Sequence, residues 1–121
     1  MRVSRSTDAP EEPFAEDHFS GAVRRRDHGV VEPFEGTAFH VHFPAGARTH
    51  WHRHPAGQVL YITDGRGRVG MRNGTVEAVT AGDVVVAPPH EEHWRGAEDD
   101  HEVRHLALSF GVTEWLEPVE D

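Results

Sequence analysis

Cysteine is absent from these 121 residues, which rules out disulfides, thiolate-bound zinc and cysteine nucleophiles and leaves burial to hold the fold. Basic charge is scarce. Twelve Lys and Arg stand against twenty-one Asp and Glu, a formal net charge of −9, and a surface of that sign repels phosphate backbones, so no nucleic acid partner is expected. Long apolar runs are missing too: no stretch approaches the roughly eighteen apolar residues of a membrane span, and Met1 to Pro13 lacks the apolar run of a signal peptide. No membrane partner and a cytoplasmic location are the expectation. The length allows one domain with a single core.

Helical periodicity is also sparse, and short strand-like runs take its place. Ala22–Arg26, Ala38–Phe43, Ala47–His54, Gln58–Thr63, Arg66–Arg72, Thr75–Val79, Asp83–Ala87 and Glu102–Phe110 are separated by Gly, Pro, Asn and Asp, the spacing of an antiparallel sandwich or barrel. Asn73-Gly74 between two such runs signals a type I′ hairpin, and Asp64-Gly65 and Ala81-Gly82-Asp83 read as further turns. Met1 to Glu16 mixes Ser, Thr, Pro and charge without apolar periodicity and is expected to be a flexible N-terminal arm, with residues 17–121 forming the domain. Thr113 to Glu117 predicts one helical turn stopped by Pro118.

Histidine is abundant, with eleven in the chain. His52 and His54 stand at i and i+2 on an extended run, which turns both imidazoles to one side. With Gln58 and His93 arriving from other strands they predict a four-donor metal site that keeps open positions, as catalytic metal sites do. Three neutral imidazoles and a neutral amide leave a divalent ion its full charge and hence strong Lewis acidity. Mn(II) or Fe(II) is the first expectation, with zinc, nickel or copper as alternatives. His18, His28, His90 and His101 read as solvated or locally satisfied side chains.

Two runs alternate cleanly enough to assign faces. In Ala38–Phe43 the apolar Phe39, Val41 and Phe43 are expected to line the interior and His40 and His42 to face out, the opposite register being the alternative. In Val103–Phe110 the small polar face of His105, Ala107 and Ser109 is expected inside. Leu106, Leu108 and Phe110 then need cover, which predicts a homodimer.

The glycine and proline offsets carry a family resemblance. From Gly46 five residues lead to His52, one separates it from His54, three lead to Gln58 and six to Gly65; from Gly82 five lead to Pro88, and His93 follows. This resembles the paired motif of the cupin superfamily, G-x5-H-x-H-x(3,4)-E-x6-G and G-x5-P-x-G-x2-H-x3-N, with Gln58, His90 and Ala97 in place of its Glu, Gly and Asn. The offsets also select His52 and His54 over the overlapping pair His50 and His52. The implied fold is all-β, a cupin-type antiparallel β-barrel or jelly roll in a single domain. From Phe19 to Trp115 the chain further resembles small bacterial cupins typified by manganese-dependent hydroxynitrile lyases. That resemblance implies a metal on His52, His54, Gln58 and His93, a catalytic contact from His105, and a substrate pocket shaped by Phe39, Val41 and Ser109. Phe39 and Ser109 depart from the lyases, which carry a smaller and a larger polar residue there. The expected function is a metal-dependent lyase acting on a small-molecule substrate, with an iron-dependent dioxygenase or a non-catalytic ligand-binding barrel as the rivals.

Overall fold

The structure, a computed structural model, describes residues 1–14, 16–33 and 35–120. Ala15 of the expected arm, and Phe34 and Asp121 of the expected domain, lie outside the described residues. In chain order the strands are β1 (Glu12–Pro13), β2 (Phe19–Ser20), β3 (Arg24–Val31), β4 (Gly36–Phe43), β5 (Arg48–Thr49), β6 (His52–Arg53), β7 (Gln58–Met71), β8 (Val76–Thr80), β9 (Val84–Ala87), β10 (His93–Ala97), β11 (Val103–Phe110) and β12 (Glu114–Trp115). Their pairings are antiparallel, and together they make the curled all-β sheet of a single domain.

The alternating runs become the best-paired strands. β4 and β11 pair over eight positions, from Val103 opposite Phe43 to Phe110 opposite Gly36. Val41 and Phe43 on one strand, and Val103, His105, Ala107 and Ser109 on the other, are buried. His40 and His42 point the other way: His40 hydrogen-bonds Thr63 Oγ1 at 2.9 Å and His42 faces Glu102 at 3.6 Å. The apolar face of β4 therefore lines the interior, because burying Phe and Val stabilises by about 1.5–3 kcal/mol per side chain whereas burying imidazoles does not. Leu60, Ile62, Ala97, Phe19 and Val23 complete the core.

Strand β7 joins the two halves of the structure. Its first half pairs with β11 and β9 and its second with β10 and β8. The sequence reads Asp64-Gly65 as a turn between two strands; instead the strand continues through it. Gly65 adopts φ +79° beside the Glu102 carbonyl, where a Cβ would clash, and the β11 register slips between Arg104 and His105. This is a bulge that bends one strand from one sheet into the other rather than reversing it.

Two further expectations are corrected. The hairpin at Asn73-Gly74 forms, but through a three-residue loop in which Gly74 donates to the Met71 carbonyl at 3.0 Å and Gly74, at φ +90°, alone takes the left-handed conformation. It is a type I turn with a bulge, so Asn73 stays in ordinary space. Thr113–Glu117 makes no helical turn: Glu114 and Trp115 pair with Arg53 and His52 as β12, since an open strand edge offers hydrogen bonds that a single helical turn cannot match. The first fourteen residues lie along β3 of the same chain. Glu12 and Pro13 pair with Arg25 and Arg24, Arg2 donates to the carbonyls of His28 and Val30 at 2.7 Å, and the Phe14 ring stacks on Phe19 at 4.6 Å.

Close strand approach at β5, β7 and β10 depends on glycine. A Cβ at Gly96 would run into the Ala47 carbonyl and the Arg48 backbone, neither of which can swing aside. We predict that Gly96→Ala costs about 2–4 kcal/mol, read as a fall in Tm of about 10 °C for a domain of this size. A melt unchanged within 2–3 °C would contradict this packing.

Candidate metal centre

Alternation and strand pairing bring the four sequence-predicted donors together. His52 and His93 are direct partners across β6 and β10, and Gln58 opens β7 opposite Ser109 of β11. His54 follows β6, where its carbonyl accepts from the backbone N–H of His90 at 3.0 Å. His90 adopts φ +66°, the left-handed conformation that glycine supplies at this place in the motif. The three imidazoles are buried, and their nearest ligand atoms all lie within 4.8 Å of one another. Ring centroids are 4.4 Å apart for His52 and His93, 5.0 Å for His52 and His54, and 5.5 Å for His54 and His93.

Backbone carbonyls aim the rings. His52 Nδ1–H donates to the His50 carbonyl at 2.9 Å and His93 Nδ1–H to the Glu91 carbonyl at 3.0 Å. Each Nε2 is thereby left as a lone pair directed inward. Gln58 donates its amide N–H to Ser109 Oγ at 2.8 Å, which turns Oε1 inward to 3.1 Å from His93 Nε2. Two acceptors thus face one another with no proton between them. His54 Nε2 is buried without a hydrogen-bond partner among the described residues, and its Nδ1 bonds Thr113 Oγ1 at 3.2 Å. Lone pairs that converge and repel, together with an unpartnered imidazole nitrogen, are the donor arrangement that a divalent cation relieves, so the residues fit a metal.

The pocket also keeps its imidazoles neutral. Burial, then the charge of Arg95, then the neighbouring His93 push His52 well below its usual value and His54 down to about 3. His93 is pushed down to about 4, chiefly by burial. His105 is held well below the ordinary imidazole range by burial and then by Arg95. It is buried on β11 between Val41 and Ile62, its ring 5.3 Å from that of Phe43, and both ring nitrogens lack partners among the described residues.

The remaining sequence-predicted residues are distributed less simply. Val41 is fully buried opposite His105. Ser109 meets the pocket by orienting Gln58. Phe39 is half-buried at the far edge of the core, opposite Ala107 and against Phe14 and the Arg25 guanidinium. His50 stays outside the cluster, its backbone N–H bonded to the His18 carbonyl. A groove of about 410 Å³ between β7, β8, β9 and β10 meets the cluster at His93 and Ala87.

Two residues escaped sequence reasoning. Arg95 lies buried at the focus of the site, donating from Nη1 to His52 Nε2 at 2.7 Å and to Gln58 Oε1 at 3.5 Å. It follows His93 by two on β10, so period-two alternation would have found it had residues 93–97 been read as a strand. Trp115, paired with His52 through β12, covers that imidazole at 4.8 Å and stacks on His18 at 4.5 Å.

Comparison with known proteins places this geometry. A family model described as a cupin domain matches residues 39–109. The chain is 39% identical over 110 residues to an (R)-mandelonitrile lyase of Granulicella tundricola, covering 87% of this chain and 84% of the other. A crystal structure of a cupin-like protein from Thermotoga maritima superposes with a TM-score of 0.85 at 36% identity, covering 93% of this chain and 90% of that one. An acetylacetone dioxygenase from Acinetobacter johnsonii superposes with a TM-score of 0.72 over 97% of this chain and 78% of its own. At 15% identity that likeness is one of fold alone.

Proposed function

The chain belongs to the cupin family, and from that premise we propose that it is a metal-dependent enzyme of small-molecule chemistry, a lyase of the hydroxynitrile type. The observation that carries the reading is the convergence of three neutral imidazole nitrogens and the Gln58 oxygen on one buried point. His52, His54, His93 and Gln58 would hold the metal, with manganese or iron favoured by the mixed nitrogen and oxygen donors. When bound, a divalent ion there supplies Lewis acidity undiminished by any carboxylate, polarising a substrate oxygen and favouring its ionised form.

Around it the chain's own residues divide the work. His105, neutral and with both ring nitrogens unpartnered among the described residues, takes the hydroxyl proton of a cyanohydrin. The carbon–cyanide bond then breaks with its electron pair leaving on cyanide, the hydroxyl carbon becomes a carbonyl, and the proton passes from His105 to cyanide, giving an aldehyde and HCN. Burial and the nearby Arg95 disfavour the protonated ring, which speeds that return. Ser109 fixes Gln58 through its amide, and Val41 and Phe43 keep water from the proton path.

Elemental analysis of protein purified without chelator or affinity tag should find one divalent metal per chain, and the loaded protein should cleave mandelonitrile. His105→Ala should lower turnover by about 10²–10⁴-fold with metal content unchanged. Undiminished turnover in that variant removes His105 from the mechanism. Oxygen consumption by iron-loaded protein, in place of cleavage, would transfer the assignment to an oxygenase.

A further inference from the structure

Six arginines other than Arg95 are ion-paired at or near the surface. Arg24, Arg25, Arg53, Arg68, Arg72 and Arg104 each lie within 4.0 Å of a carboxylate. Arg95 differs in being buried: no carboxylate among the described residues comes within ion-pair distance, and its Nε has no partner there. A buried cation without a counter-charge costs several kcal/mol, and a chain carrying a surplus of acids has not supplied one. The metal donors do not help, since all four are neutral, so a divalent ion beside Arg95 adds to the positive charge.

The unpartnered interior atoms sort by chemistry. Among the described residues they are His54 Nε2, Arg95 Nε, both ring nitrogens of His105 and, away from the site, His42 Nε2, which faces Glu102 at 3.6 Å. The first is a lone pair suited to a cation. A guanidinium Nε always carries a proton, and a neutral imidazole carries one on one of its two nitrogens. Two buried N–H donors are thus left, the charge of Arg95 acting on the His105 ring, and a negatively charged acceptor is what such donors take.

We propose that Arg95 is the anion seat of this pocket and, with the ring N–H of His105, receives a small monoanion: either the cyanide that departs or a carboxylate that the substrate carries. The inference rests on the metal-dependent reading above and deepens it by naming the charge of what the pocket handles. Nη1 donates to His52 Nε2 in this structure; a metal taking that lone pair would release Nη1, leaving Nη1 and Nε both to the anion.

Calorimetric titration of manganese-loaded protein with sodium cyanide, sodium lactate and the uncharged propane-1,2-diol tests this. Arg95→Gln should weaken anion binding at least tenfold, leave the diol unaffected and retain the metal, while Arg95→Lys restores part of the anion affinity. Loss confined to cyanide identifies the departing group, and loss confined to lactate a substrate carboxylate. Wild-type protein supplies an independent arm: the Arg95 Nε–H resonance of the zinc-loaded form should shift on saturation with the anion that binds. Wild-type-like anion affinity in metal-retaining Arg95→Gln, or an unmoved resonance, overturns the seat and leaves the metal reading standing. Arg95-dependent anion binding without metal uptake overturns the metal reading alone.

Discussion

Replacing His54 by alanine is expected to strip the protein of its metal, lowering metal affinity by at least about 100-fold, while leaving the fold in place. The three imidazoles are not equivalent in what else they do. His52 and His93 hold backbone carbonyls through Nδ1, and His52 also receives Arg95. Deleting either strands a buried polar group at about 1–3 kcal/mol in addition to removing a donor. His54 bonds Thr113 Oγ1 at 3.2 Å, and its inward nitrogen has no hydrogen-bond partner among the described residues. Its loss therefore separates metal binding from stability better than the loss of either neighbour. Metal per chain, measured by elemental analysis alongside far-UV circular dichroism, decides the matter. A folded His54→Ala protein with a full complement of metal would remove this imidazole from the site.

Acidification should unfold the metal-stripped protein cooperatively with a midpoint near pH 5, and metal should shift that midpoint lower. In the unfolded chain the imidazoles titrate near 6.5, whereas in the folded chain His93 is held down to about 4, His54 to about 3, and His52 and His105 well below their ordinary value, in each case chiefly by burial. Above 6.5 neither state binds these protons, and their contribution to stability is complete. Below it the unfolded chain takes up protons that the folded chain refuses, so stability falls as pH falls, until the folded rings themselves titrate at about 4 and about 3. Each pH unit in that window costs about 1.4 kcal/mol per imidazole, so four act at about 5 kcal/mol per unit against a total stability of about 5–15 kcal/mol. A bound metal occupies the lone pairs that protons would take, which is why loading protects. Tryptophan fluorescence against pH reads the transition. Retention of the native signal to pH 4 in stripped protein would show that these rings are not buried in the neutral form.

How far the sequence reaches is best seen residue by residue. His52 and His54 share a face because side chains alternate on extended backbone, and that follows from spacing without any partner strand. The inward face of β4 and the small polar face of β11 follow from the same period, and the hairpin at Gly74 from the conformational freedom of glycine. The Thr-Glu-Trp-Leu-Glu segment is locally ambiguous between a helical turn and a strand, and the open edge of β6 decides for β12. The continuity of β7 through Gly65 was likewise decided from outside, by the Glu102 carbonyl and the slipped register of β11.

Composition and spacing by themselves determined that this is a cysteine-free, acidic, antiparallel β domain with three imidazoles and one amide set at the offsets of a metal motif. Tertiary structure alone decided that Gln58 is aimed by Ser109, fifty-one residues away, and that Arg95 donates to His52 across forty-three. The physical reason is that alternation orients a side chain relative to its own strand, whereas burial and partners depend on which distant strand lies opposite. An arginine in a sequence reads as solvent-facing until the fold closes over it, and here the fold closes over it beside the metal donors.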